Sequence, residues 1–426
     1  MKLPSLCIAS CSSGRGKTVL SSALMYRFRD IVRPFKIGPD FIDPRFHARL
    51  CGRASVNLDS FIMNEEQLKR LFVDNSAKLN LIEGAMGFYD GEDRGCSTHS
   101  VTAALRVPVV LLMDASGTYI TLSALLKGMR EYRRGNMIKA VVLNRVSSAS
   151  HYERIASILA REHPDIELLG WIGRELPSLH STHLGLDMGD ISLMQSIASQ
   201  VLEHIDMDAL LSIAKSAQIA EPETQNPFPA HDIGGKKAVL VHDENFSFLY
   251  HDNYLFLKES FGEVQIVSAV KDEEIDPRSD LVLLCGGYVE SEEAYARIAG
   301  SKRFADSLRS YLQGGGRVYA ECAGLLYLSE RVDDKRMSGI LPLAFHMEKR
   351  FQRLGYYYDG SGTKGHAFHY TRPDEASLSK ACGRLSKEPR GEGSGGVWCA
   401  YEGRLRATYL HTMFRAYPDI LSMERR

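Results

Sequence analysis

Short apolar runs alternate with amphipathic stretches through the first half of the chain. Residues 6–9, 79–82, 109–113 and 140–143 are continuous, β-branched and too short for buried helices, so they predict buried strands. Between them, residues 19–28, 65–73, 121–132 and 152–162 carry helical spacing. Strand–helix alternation of this kind predicts a parallel sheet with right-handed crossovers.

The pattern breaks near residue 217, where AEPETQNPFPAHDIGG offers prolines and polar residues without a period. This reads as a linker over 217–236 between a first domain, 1–216, and a second, 237–426. Strands then resume at 237–242, 264–268, 281–284 and 317–320. The Gly-rich stretch 386–396 predicts a mobile excursion or a hairpin connection. The expected fold is therefore α/β in both halves.

A chain of 426 residues exceeds one ordinary core, in agreement with two domains. The net charge of -1 carries no footprint for nucleic acid or an anionic membrane. The apolar N-terminal run meets Arg15 and Lys17 too early for a signal peptide, and no segment reaches the roughly 20 apolar residues of a membrane span. These features argue for a cytoplasmic protein. The eight cysteines include no CxxC pair, which argues against structural zinc. Apart from Cys322, most are expected as buried thiols.

SCSSGRGKT at residues 10–18 follows a predicted strand and opens a predicted helix, the context a phosphate-binding loop requires. Backbone N–H groups around Ser13, Gly14 and Gly16 would face phosphates, with the helix dipole in support. Lys17 would reach the terminal phosphates, and Thr18 would offer its hydroxyl to Mg²⁺. Cys11 stands where the motif usually has its first glycine, which alters the expected loop shape; an ordinary turn into a helix is the competing reading. Glu83 ends an apolar strand and would hold the ion directly or through water, with Asp114 a second candidate. A strand-end cap is the alternative for either. KIGPDFIDP at 36–44, with Asp40, combines two carboxylates, a lysine and rigid turns suited to placing metal and a substrate carboxylate. By composition alone it reads as a turn, as does Asp90 in YDG.

VYAECAGL at 318–325 is an apolar strand, a small-residue turn and a helix start, the layout of a nucleophile elbow with Cys322 at its apex. A buried cysteine beside a helix start is the alternative. His411, ending a late strand in ATYLHTMF, is the preferred base, with His366 and His369 as competitors. Gly286 and Gly287, after another strand, would supply oxyanion-binding N–H groups or form a plain turn.

Together these segments resemble the cobyrinic acid a,c-diamide synthase family. The resemblance is carried by the phosphate loop, KIGPDFIDPRFH (36–47), NLDSFIM (57–63), EGAMGFYDG (83–91), VVLNRV (141–146), HLGL (183–186), FSFLY (246–250), GGYVE (286–290), AECAGLLYL (320–328), GHAFHY (365–370) and YLHTMF (409–414). It implies a dethiobiotin-synthetase-like P-loop domain joined to a class I glutamine amidotransferase domain. It implies a carbon–nitrogen ligase that amidates the a and c carboxylates of cobyrinic or hydrogenobyrinic acid in cobalamin biosynthesis. The implied route is an acyl phosphate and channelled ammonia, with ATP, Mg²⁺, glutamine and a corrinoid bound; it admits a homodimer.

The roles implied are phosphate and Mg²⁺ binding for Lys17 and Thr18, synthetase chemistry for Asp40, Glu83 and Asp90, glutaminase chemistry for Cys322 and His411, and an adenine contact for Asn144. Three positions depart from the relevant patterns. Met413 stands where many class I amidotransferases carry a Glu after the histidine, Ala367 where the family usually has Glu, and Ala323 where it usually has Gly. No residue is assigned to orient His411. The rival readings are diamidation of nickel-sirohydrochlorin by the same machinery, and a nucleotide-binding regulatory module with a degenerate amidotransferase half. Retention of Lys17, Thr18, Glu83, Cys322 and His411 together argues against the second.

Overall fold

The computed structural model describes residues 1–174, 181–182, 185–186 and 191–422. His183 and Leu184 of the HLGL segment lie outside the described residues. Contacts divide the chain into two compact units, Met1–Pro227 and Phe228–Arg426. Residues 217–234 form neither helix nor strand.

The first unit alternates β1 (Ser5–Ser10), α1 (Lys17–Arg27), β2 (Val32–Ile37), α2 (Ile42–Cys51), β3 (Val56–Leu58), α3 (Glu65–Asn75) and β4 (Leu79–Glu83). It continues through α4 (Thr98–Leu105), β5 (Val109–Asp114), α5 (Ile120–Glu131), β6 (Ile138–Val146), α6 (Ala149–Glu162), β7 (Glu167–Gly173), α7 (Ile191–Leu202), β8 (His204–Ile205) and α8 (Met207–Ser216). The eight-stranded sheet runs β8-β7-β6-β5-β1-β4-β2-β3, parallel except for β8. β1 is buried at every position because helices cover both faces, which is why its sequence is a continuous apolar run rather than an alternation. On one face Leu6 and Ile8 pack in a core with Leu20 and Leu24 of α1. Parallel register brings the carboxyl ends of the strands to one edge: Ile8 stands beside Glu83, Lys36 beside Glu83, and Asp114 beside Asn144. That edge is where α/β sheets place their ligands.

The second unit repeats the logic with β9 (Gly235–Val241), α9 (His251–Ser260), β10 (Phe261–Val267), β11 (Leu281–Leu284), α10 (Glu292–Ile298), α11 (Lys302–Gln313), β12 (Val318–Glu321) and α12 (Ala323–Leu328). The same sheet continues with β13 (Arg353–Asp359), β14 (Lys364–His369), β15 (Gly383–Ser386), β16 (Ser394–Ala400) and β17 (Leu405–Thr408). The nine-stranded order is β10-β9-β11-β12-β17-β16-β15-β13-β14. Its first five strands are parallel and the rest antiparallel. Leu284 pairs with Ala320, and Glu321 with Thr408, so β11, β12 and β17 end together. The Gly-rich stretch is the hairpin connection between β15 and β16.

Most of the cysteines are buried thiols as expected, and two form an exception. Cys7, Cys51, Cys96, Cys285 and Cys322 are buried thiols, but Cys382 and Cys399 are exposed and joined in a disulfide. Cys382 immediately precedes β15 and Cys399 lies on β16, with Cα atoms 5.8 Å apart, a spacing sequence separation does not reveal.

Candidate active sites

The first site is built where β1 gives way to α1. Gly14 (φ 71°) and Gly16 (φ 94°) adopt left-handed backbone, and Gly16 caps α1 without a side-chain hydrogen bond. The first N–H groups of α1 therefore face the loop as anion donors. Only glycine fits at residue 16, because a Cβ would stand 2.7 Å from Asn144 Nδ2. Asn144 in turn donates to Arg15 O at 2.7 Å and braces the loop.

Lys17 is buried; its ammonium donates to Ser10 Oγ at 3.0 Å and to Met86 O at 2.5 Å. Burial, and then the nearby Lys36, lower its pKa. Thr18 Oγ1 donates to Glu83 Oε1 at 2.7 Å and Ser21 Oγ to Glu83 Oε2 at 2.6 Å. Glu83 is fully buried, with Lys36 Nζ at 3.0 Å and His47 Nε2 at 2.9 Å. Burial opposes its charge, but Lys36, His47 and Ser21 hold its carboxyl well below the usual range. Lys36 also meets Asp43 at 2.5 Å and Asp40 at 3.6 Å. Burial first, then the charge of Glu83, push Asp43 up to about 7 against the pull of Lys36.

The 36–44 segment is thus not a surface turn. Lys36 lies inside the sheet, and Asp40 Oδ1 accepts from the N–H groups of Ile42 and Asp43 to turn the chain into α2. Pro44 falls in the first turn of α2, where a missing N–H is tolerated.

Other expected residues fall differently. Asp90 Oδ2 accepts from Gly87 N at 2.7 Å, closing the turn that follows Glu83. Asp114 is taken by Arg15 and Arg145, each at 2.8 Å. Although burial opposes its charge, Ser116, Arg15 and Arg145 lower it to about 2. Ser13 and Gly14 sit exposed on the loop crest. Lys36 and Asp43 belong to the segment whose lysine and two carboxylates the sequence pointed to; His47 was not singled out, and a histidine on the buried face of a helix was the available signal.

The second site lies past the carboxyl ends of β11, β12 and β17. Cys322 has φ 45° and ψ −100°, leaving strand geometry between β12 and α12. Its N–H donates to Thr408 O at 2.8 Å, which fixes the turn. A β-strand followed by a strained residue and a helix N-terminus is the elbow its sequence predicted. His411 is buried, and its Nδ1 lies 3.0 Å from Glu321 Oε2. Burial works against protonating the ring, yet hydrogen bonds to Cys322 and Glu321 raise its pKa to about 10.

The competing histidines have other partners. His366 exchanges backbone hydrogen bonds with His411, each at 2.8 Å, and so anchors the base rather than replacing it. His369 stacks on Tyr409 at 3.5 Å, and burial followed by the charge of Arg353 lowers it to about 3. Gly286 packs against the His411 ring so closely that a Cβ there would overlap it. Gly287 (φ 148°) leaves no room for a Cβ beside Asn245 O. Both glycines therefore serve close approach at the edge of the thiol site.

Residues 6–183 match the CobQ/CobB/MinD/ParA nucleotide binding domain, and residues 237–418 match the CobB/CobQ-like glutamine amidotransferase domain. Cobyrinate a,c-diamide synthase of Methanocaldococcus jannaschii is 32% identical over 97% of this chain and 97% of its own. The proteins of that name from Fusobacterium nucleatum and Archaeoglobus fulgidus are 33% and 32% identical, over 86% and 88% of this chain and 88% and 86% of theirs. The chain belongs to the cobyrinate a,c-diamide synthase family.

For a member of this family the three departures acquire a place in the structure. Met413 is fully buried, and the carboxylate at His411 comes instead from Glu321. Ala323 opens α12 and Ala367 lies inside β14, both fully buried. At the thiol site Glu321 was not singled out from the sequence; a carboxylate closing an apolar strand beside a nucleophile was its signal. No helix among the described residues is long and apolar enough to cross a membrane.

Proposed function

We propose that this protein amidates the a and c side-chain carboxylates of cobyrinate, using ATP and glutamine. The observation that carries the reading is the presence, in one family member, of a phosphate loop tied to a buried carboxylate and a cysteine elbow tied to a buried histidine. Cys322 attacks the amide carbon of glutamine while His411 gives its proton to the departing ammonia. The γ-glutamyl thioester is then hydrolysed, with His411 taking a proton from water. At the other site Lys17 meets the terminal phosphates and Lys36 the substrate carboxylate or the transferring phosphoryl group. The carboxylate takes the γ-phosphoryl group of ATP as the β–γ anhydride bond breaks and ADP leaves, and ammonia then attacks the acyl carbon and displaces phosphate to leave the amide. Asp40 and Asp43 hold Lys36 in place, Asp90 shapes the loop after Glu83, and Asn144 supports the phosphate loop beside the nucleotide.

The donor set fits Mg²⁺: a threonine hydroxyl and a carboxylate, both hard oxygens, leave the remaining positions to phosphate and water. Thr18 and Glu83 would hold the ion, which would draw charge from the transferring phosphoryl group.

Purified protein with ATP, Mg²⁺, glutamine and cobyrinate should show two successive carboxyl-to-amide conversions by mass spectrometry. Hydrogenobyrinate and nickel-sirohydrochlorin serve as competing substrates. ATP hydrolysis that stays at background with glutamine and every macrocycle would remove the enzyme reading altogether.

A further inference from the structure

We propose that Glu321 is the positioning residue of the thiol site, holding the His411 imidazole in the orientation that serves Cys322. The inference rests on the glutaminase reading of that site.

Three observations converge on it. Glu321 Oε2 stands 3.0 Å from His411 Nδ1, with side chains only 6% and 2% exposed. Its other oxygen accepts from Tyr319 OH at 3.3 Å, so the carboxylate is engaged on both sides. A buried carboxylate with so few partners is costly unless its neighbour carries charge.

The second observation is local geometry. Side chains of successive strand residues point to opposite faces, which would separate Glu321 from Cys322. Cys322 departs from the strand at φ 45°, and His411 hydrogen-bonds both neighbours. With Nδ1 given to the carboxylate, Nε2 is the nitrogen left for the thiol. The ring thus fixes its tautomer by one partner and acts on the other.

The third is electrostatic. A carboxylate next to a nucleophilic sulfur would repel the thiolate; placing an imidazolium between them turns that repulsion into two attractions. The charge of Glu321 acts in that sense on another buried thiol: Cys285 is pushed well up, by burial first and then by Glu321. The Met413 position, from which many class I enzymes present a Glu, is fully buried and apolar. Glu321 thus reaches the ring from the end of the strand that carries the nucleophile.

The test is Glu321→Gln in the full-length protein, with Glu321→Asp as the conservative partner. Glutamine hydrolysis and glutamine-driven amidation are measured for kcat and KM separately, alongside synthesis from free ammonium. Glu321→Gln should lower glutamine kcat by roughly 10²-fold or more with KM within about 2-fold, since binding survives and the base is misaligned. Glu321→Asp should recover part of kcat. Iodoacetamide should alkylate Cys322 more slowly in Glu321→Gln, a readout a merely structural salt bridge would leave unmoved. Wild-type glutamine kcat in Glu321→Gln would overturn the inference and leave the glutaminase reading standing. Equal loss from glutamine and ammonium would overturn it as a folding effect. No glutamine hydrolysis by the wild-type protein would bring down the glutaminase reading, and this inference with it.

Discussion

Thr18 Oγ1 and Glu83 Oε1 lie 2.7 Å apart, so a hydrogen bond ties the first turn of α1 to the end of β4, with Ser21 of the next turn donating to the other carboxylate oxygen. The residues are 65 apart in sequence and come together because β1 and β4 are parallel neighbours. A hydroxyl and a carboxylate are hard oxygens of the kind a phosphate-bound divalent ion takes, and here they stand beside a helix N-terminus.

Removing the cation from the phosphate loop should stop the synthetase half whatever the nitrogen source. Lys17→Ala is expected to reduce ATP-dependent amidation by at least about 10²-fold with either glutamine or ammonium. Continued turnover with ammonium would take Lys17 out of the phosphate site.

Removing the thiol should have the opposite selectivity. Cys322→Ser is expected to abolish glutamine use while ammonium still supports amide formation, because the acyl phosphate chemistry does not involve sulfur. Parallel assays with the two nitrogen donors check this; loss of both would contradict separate sites.

Gly286 has no space for a side chain because the His411 ring occupies it. Gly286→Ala should therefore push the imidazole away from Cys322 and lower glutamine kcat by about 10²-fold, with ammonium-driven turnover retained. Restored spacing through a smaller residue is not available, so no other substitution at this position should do better than alanine.

The charge on His411 also couples to stability. Its folded pKa of about 10 lies above the ordinary 6.5, owing to its hydrogen bonds to Cys322 and Glu321 and in spite of burial. The folded chain thus binds more protons between those values, so stability from this group is complete below pH 6.5 and is lost as pH rises through 10. Thermal denaturation across that window should show a decline in melting temperature that is shallower in His411→Asn. An unchanged slope would mean that His411 does not carry the charge assigned here.

What could be read along the chain was whatever depends on near neighbours. The strand–loop–helix at residues 10–18, with left-handed glycines at 14 and 16, and the strand–elbow–helix around Cys322 are local backbone events, each encoded by adjacent residues. The apolar runs likewise marked their strands, since burial on both faces of a parallel sheet leaves little choice of residue.

What only the tertiary structure decided is which distant side chains share those edges. Lys36 and His47 converge on Glu83, and Glu321 finds His411 across 90 residues, because parallel register aligns strand ends that sequence order scatters. The same holds for Asp114, turned from a candidate metal ligand into the partner of two arginines. It holds again for Cys382 and Cys399, paired by a hairpin rather than buried. Local pattern specifies an element and its faces; the partner of a buried charge is set by strand order and register, which no short window of sequence contains.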